Sequence, residues 1–147
     1  MLSPSLEDYL EEIYQLSLLK NEIRVRDIAD RLSVSSPSVI KALRKLNKEK
    51  YIRYARYEGI RLTEEGNKLG SLLVKRNSIL QEFLFVINSQ CDSAKEAEAM
   101  EHYLSPPTIS AIEKLVEFMK KEKEVMERFL KFSESQEEKH WSEDINE

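Results

Sequence analysis

The sequence predicts a mainly α-helical fold, with three helices and a two-stranded hairpin in the amino-terminal part and further helices after them. Three observations predict it. Gly 3 and Pro 4 in 147 residues are too few for the many special turns of an all-β chain. Apolar residues recur at the three- and four-residue spacing of amphipathic helices through most of the chain. The one stretch with strand character, residues 51–63, has a glycine-containing turn at its middle.

Ser5 precedes Leu6, Leu10, Ile13 and Tyr14, the apolar face of a first helix, and Asp8 stands three residues on as a capping-box partner. Residues 25–32 predict a second, shorter helix with Ile28, Ala29 and Leu32 on one side. Ser33-Val34-Ser35-Ser36 breaks it, and Pro37 suits the first position of a third helix capped by Ser36. In that helix Val39, Ile40, Leu43 and Leu46 face inward, and Lys41, Arg44, Lys45 and Lys48 outward. Strands at 51–55 and 60–63 flank a basic tip at 56–59. Thr63 then caps a long helix to about residue 84, with Leu69, Leu72, Leu73, Leu80, Phe83 and Leu84 as its stripe. A helix over 93–104 follows. Ser105-Pro106-Pro107-Thr108 leads into another, with Ile109, Ile112, Leu115, Val116 and Met119 apolar. A last helix over 125–132 gives way to a polar tail, 134–147, in which His140 and Trp141 are expected to dock locally.

The net charge of −4 hides a division. Residues 1–76 carry 15 basic against 11 acidic side chains, a net of +4, and residues 77–147 carry 8 against 16, a net of −8. A basic half beside an acidic one is the pattern of a nucleic-acid-binding module joined to a different module. No apolar run reaches the roughly 18 residues of a membrane span and no secretory signal opens the chain, so a cytoplasmic protein without a membrane partner is expected. The single Cys91 rules out an intrachain disulfide framework.

Helix, short break, amphipathic helix and hairpin is the order of a winged helix-turn-helix, expected over residues 1–70, with a helical domain over 71–147. The third helix buries its apolar side and leaves its start and polar side for the major groove of double-stranded DNA. Ser35, Ser36, Pro37 and Ser38 at that start, Lys41, Arg44 and Lys45 along it, Arg26 on the second helix and Arg56 on the wing are the candidate DNA-binding residues. Arg53, Arg56 and Arg61 suit flanking phosphates. A three-helix bundle with solvated lysines is the plainer alternative, and a helical scaffold without a DNA role is a third; the hairpin and the local positive balance favour DNA.

In the helix at 93–104, Ala94, Ala97, Met100 and Leu104 define the apolar side, and Glu101 falls within it, bordered by Glu98 and His102. An unpaired buried carboxylate costs several kcal/mol, so something cationic should face Glu101. A divalent metal is one answer, for two carboxylates and an imidazole on adjacent turns suit Mn²⁺ or Fe²⁺. A salt bridge, with Arg76 as the candidate partner, is the other, and periodicity does not decide between them. Glu98 stands where some zinc peptidases place a first histidine, so this helix offers no two-histidine clamp. Neither catalysis nor a small organic substrate is expected.

Pro4-Ser5-Leu6-Glu7-Asp8-Tyr9-Leu10-Glu11, the helix-turn-helix over 25–46, Leu62-Thr63, and Glu98-Ala99-Met100-Glu101-His102-Tyr103-Leu104-Ser105 together resemble the diphtheria toxin repressor family, more closely its manganese transport regulator branch. The resemblance covers nearly the whole chain. It implies a homodimeric, metal-activated repressor of metal-uptake genes, whose carboxy-terminal half binds metal and dimerises. It further implies Asp8, Glu11, Glu98, Glu101 and His102 as ligands, although periodicity alone places Asp8 and Glu11 on the solvated side of the first helix. Asp8 and Glu98 stand where the iron-selective branch has Met and Cys, and hard oxygen there favours Mn²⁺ over Fe²⁺ or another divalent metal. The family pattern has a histidine at position 77; here it is Asn77, whose amide oxygen is a neutral, weaker donor. A winged-helix regulator controlled by another ligand, or constitutive, is the alternative function.

Overall fold

The computed structural model describes residues 2–136; His140, Trp141 and the rest of the tail from 137 onward lie outside the described residues. The elements run α1 (Pro4–Leu19), α2 (Val25–Leu32), α3 (Ser36–Lys48), β1 (Ile52–Ala55), β2 (Gly59–Leu62), α4 (Glu64–Val86), α5 (Ser93–Glu101), α6 (Pro106–Lys121) and α7 (Lys123–Ser135). They form two compact units divided between Ser78 and Ile79, inside α4.

In the first unit, α1 starts two residues earlier than expected and is capped by Ser3, whose Oγ accepts the Leu6 N–H at 3.4 Å, not by Ser5. Pro4 has no N–H to satisfy and therefore fits the first turn of the helix itself. A shift of one residue, in the same direction, occurs at α3. Ser35 rather than Ser36 is its cap, accepting the Ser38 N–H at 3.3 Å, while Pro37 lies in the first turn. Tyr9, Leu10, Ile13 and Leu16 of α1, Ile28 and Ala29 of α2, and Val39, Ala42, Leu43 and Leu46 of α3 make one core with Ile52 and Ile60 of the hairpin. Each large aliphatic side chain buried there contributes about 1.5–3 kcal/mol. Ile40, expected inward, is only partly buried.

The strands pair antiparallel, Ile52 with Leu62 through Ala55 with Gly59, and Ile23 adds an isolated bridge to Ile60. Asn47 Oδ1 accepts the Tyr54 N–H at 3.0 Å, which ties the end of α3 to the wing. Thr63 caps α4 as expected: its Oγ1 accepts the Gly66 N–H at 3.1 Å and donates to the Lys50 carbonyl at 2.6 Å. Two glycines one turn apart then bring α4 into backbone contact with the rest of the unit. A Cβ on Gly66 would lie 1.8 Å from the Tyr51 carbonyl oxygen, and one on Gly70 2.6 Å from Tyr14 Cβ. Leu69 and Leu73 pack on the core, whereas Leu72, expected in the stripe, is 62% exposed.

In the second unit, Leu80, Leu84 and Ala97 form a small core with Met100, Leu104, Ile109 and Ile112. Val86, Val116 and Met119 form another with Val125, Met126 and Phe129. Asp92 caps α5 by accepting the Lys95 N–H at 3.2 Å. Ala94 and Leu115 are exposed, so the apolar stripes of α5 and α6 are narrower than periodicity suggested. Among the described residues no helix is long and apolar enough to cross a membrane.

Candidate DNA-binding surface and metal-ligating residues

With Val39, Ala42, Leu43 and Leu46 committed to the core, α3 leaves Ser36, Pro37, Ser38, Lys41, Arg44 and Lys45 exposed, together with its cap Ser35. The Ser35 and Ser38 hydroxyls lie 2.8 Å apart at the helix start, where the helix dipole favours an anion. Arg26 is exposed on α2, 3.9 Å from Asp30, a surface pair worth little. Arg56 is exposed at the hairpin tip. A cleft of ≈ 410 Å³ lined by Ile40, Arg44, Tyr54, Ala55 and Arg56 brings α3 and the wing to one shared basic surface. Ile40 is thus the floor of a groove rather than core.

On α5, Glu101 is 2% exposed, one turn after the buried Ala97, and its Oε1 lies 3.5 Å from His102 Nε2. His102, the carboxy-terminal cap of the helix, is partly buried; Glu98, one turn before it, is exposed. The buried oxygen and the adjacent imidazole nitrogen are donor types that suit a divalent cation.

On α1, Asp8 and Glu11 are partly buried, which corrects the solvated placement drawn from periodicity. The reason is that α1 is covered on a second side. Glu7, Glu11 and Tyr14 fall on one stripe at i, i+4 and i+7. The ends of that stripe meet α4: Arg76 Nη2 donates to Glu7 Oε2 at 2.9 Å, and Tyr14 lies against Gly70. Glu11, between them, therefore faces the α1–α4 seam. Asn77 is partly buried, one turn after the core residue Leu73 and next to Arg76, at the same seam. Arg76, considered as a counter-ion for Glu101, holds Glu7 within the first unit. Glu7 had no signal of its own in the sequence; Arg76 had one, a cation within an apolar stripe.

These features define a winged helix-turn-helix protein with a helical carboxy-terminal unit. Residues 1–60 match the family description "Iron dependent repressor, N-terminal DNA binding domain", and residues 63–130 match "Iron dependent repressor, metal binding and dimerisation domain". The chain belongs to the iron-dependent repressor family, on its MntR branch. It is 41% identical over 128 residues to the HTH-type transcriptional regulator MntR of Geobacillus kaustophilus, covering 86% of this chain and 91% of that protein. To the MntR of Bacillus pumilus it is 42% identical over 127 residues, covering 84% and 87%. Similar solved structures include the manganese regulator SloR, at TM-score 0.69 and 30% identity over 80% of this chain and 55% of that one. ScaR with bound Zn²⁺ follows at TM-score 0.66 and 30% identity, covering 77% and 54%. The chain spans about half the length of these two solved chains. The family resemblance drawn from the motifs therefore holds, and the chain is a DNA-binding transcriptional regulator, not an enzyme.

Proposed function

We propose that the chain is a Mn²⁺-activated repressor of metal-uptake genes that acts in the cytoplasm as a homodimer on a double-stranded DNA operator. The observation that carries the metal reading is Glu101, 2% exposed and 3.5 Å from His102. Asp8, Glu11, Glu98, Glu101 and His102 would hold the ion, with Asn77 offering an amide oxygen. This set, oxygen-rich with one imidazole, suits Mn²⁺, then Fe²⁺, better than a soft ion. The ion would supply the positive charge that lets these carboxylates be held together. A similar solved protein is named a manganese regulator, which agrees with that choice.

DNA recognition is assigned to residues 1–70, with Ser35, Ser36, Pro37, Ser38, Lys41, Arg44 and Lys45 in the major groove and Arg26 and Arg56 beside it. Dimerisation is assigned to residues 71–147, where Phe85, Leu115, Phe118 and Phe132 are exposed apolar side chains that a second copy would cover. Asn77 favours a second reading, a regulator of the same shape controlled by another ligand or constitutive, because an imidazole of the family pattern is replaced by a weaker donor.

Calorimetric titration of the metal-free protein with Mn²⁺ separates the two. The parent should bind Mn²⁺, His102→Ala should lose most of that heat while keeping its helical circular dichroism, and Asn77→His should tighten binding or add an equivalent. An unchanged isotherm in His102→Ala removes that residue from the site. No Mn²⁺ heat in the parent favours the second reading.

A further inference from the structure

We infer that Tyr57, at the tip of the wing, is a DNA-contacting residue that enters the minor groove with Arg56 and favours A·T-rich sequence beside the major-groove site. The inference rests on the DNA-binding reading and adds a residue and a specificity to it.

Among the described residues, no packing accounts for a tyrosine at this position. Residues 56–58 connect β1 to β2, closed by the Ala55–Gly59 pair. Tyr57 has φ +77°, a left-handed conformation that strongly disfavours a bulky L residue. Its side chain is 94% exposed, so it adds no packing. Glycine or asparagine would serve the turn better. The contact it does make is with a cation: the Arg56 guanidinium carbon lies 5.5 Å from the ring centroid. That contact orients the guanidinium along the ring at the outermost point of the hairpin.

A second feature of the same hairpin also works against the isolated fold. Arg53 and Arg61 are directly opposed across the strands, and both are exposed. Like charges in that register repel. Together with Asn47, Tyr54, Ala55, Glu58 and Gly59 they line a cavity of ≈ 520 Å³, in which Glu58 is the one carboxylate. A strained aromatic tip over a repelling arginine pair is costly in water and favourable against a polyanion. The arginine pair suits the phosphates on either side of a groove. The tip, a guanidinium flanked by a ring, suits the groove itself. A narrow A·T minor groove concentrates negative potential and attracts an inserted arginine, whereas the exocyclic amine of guanine obstructs the floor of a G·C groove.

The test begins with a duplex selected from a randomised pool by the Mn²⁺-loaded parent, remade with its flanks all A·T or all G·C. Fluorescence anisotropy then compares the parent with Tyr57→Asn, Tyr57→Phe and Lys41→Ala. Tyr57→Asn should lose about tenfold in affinity on the A·T-flanked duplex and clearly less on the G·C-flanked one. Its melting temperature should equal or exceed the parent's, because the turn is relieved of strain. Tyr57→Phe should stay within about twofold of the parent, since the ring holds Arg56 without the hydroxyl. Equal loss on both duplexes overturns the minor-groove assignment. Parent-like binding by Tyr57→Asn, while Lys41→Ala is weakened, overturns the contact itself and leaves the DNA-binding reading standing. If the parent selects no sequence at all, both fall.

Discussion

Arg76 donates to Glu7 at 2.9 Å, joining α4 to α1 across 69 residues of chain, with side chains only 17% and 16% exposed. Among the described residues, Arg76 Nε is a buried side-chain nitrogen without a hydrogen-bond partner, so the guanidinium is held by this ion pair and by packing. The neighbours in sequence, Asp8 and Asn77, are proposed metal ligands. Arg76→Met should therefore destabilise the protein by about 3 kcal/mol, the low end of the cost of breaking a buried pair. The midpoint of urea unfolding in chelator measures it. A change within the range of surface ion pairs, about 1 kcal/mol or less, would mean that the pair is screened by water.

Gly66 and Gly59 should fail for different reasons. At Gly66 a methyl group would meet the Tyr51 carbonyl oxygen at 1.8 Å, so backbone must move. Gly66→Ala should cost about 3 kcal/mol, at the upper end of overpacking. Gly59 has open space around it and φ +81°, so Gly59→Ala should cost only the left-handed strain, about 1–2 kcal/mol. Thermal unfolding of the two variants checks the order, and a larger loss at Gly59 would contradict the close approach of α4 to Tyr51.

The Lys20 ammonium, donating to Asp27 Oδ1 at 2.7 Å, holds the Asp27 carboxyl below its ordinary range, helped by the Arg24 N–H at 2.9 Å. The folded value lies below the unfolded one of about 3.9, so the carboxylate's stabilisation is complete above that pH. It is lost as pH falls through the depressed folded value. Asp27→Asn should thus make unfolding less sensitive to acid as the pH falls below about 4. Because Lys20 is half-exposed, the effect should shrink in high salt. Urea midpoints against pH in both proteins measure it; parallel curves at low salt would remove Asp27 from the acid response.

The parts of this fold that were legible in the sequence are those in which one helix shows one buried face. α3 is the clearest case, because Lys41, Arg44 and Lys45 alternate with core residues and all three emerge exposed. Glu101 was legible for the converse reason, a carboxylate inside an apolar stripe, and it is buried. α1 was only half legible. Its periodicity reports the face against α2 and α3, while the face carrying Glu7, Glu11 and Tyr14 is covered by α4, about sixty residues later. Gly66 and Gly70 look like helix-weakening residues until the backbone they approach is known. The caps at Ser3 and Ser35 were displaced by one or two residues because Pro4 and Pro37 lie within the first turn.

The central claim is that a divalent metal switches this winged helix onto DNA. Its most direct measurement is fluorescence anisotropy of one duplex, selected by the Mn²⁺-loaded protein, titrated with the same preparation first in chelator and then in excess Mn²⁺. The account predicts weak, salt-sensitive binding in chelator and at least about tenfold tighter binding with Mn²⁺, a coupling of the usual allosteric size. Equal affinity in both conditions, with sequence preference intact, would contradict metal control and leave a constitutive repressor.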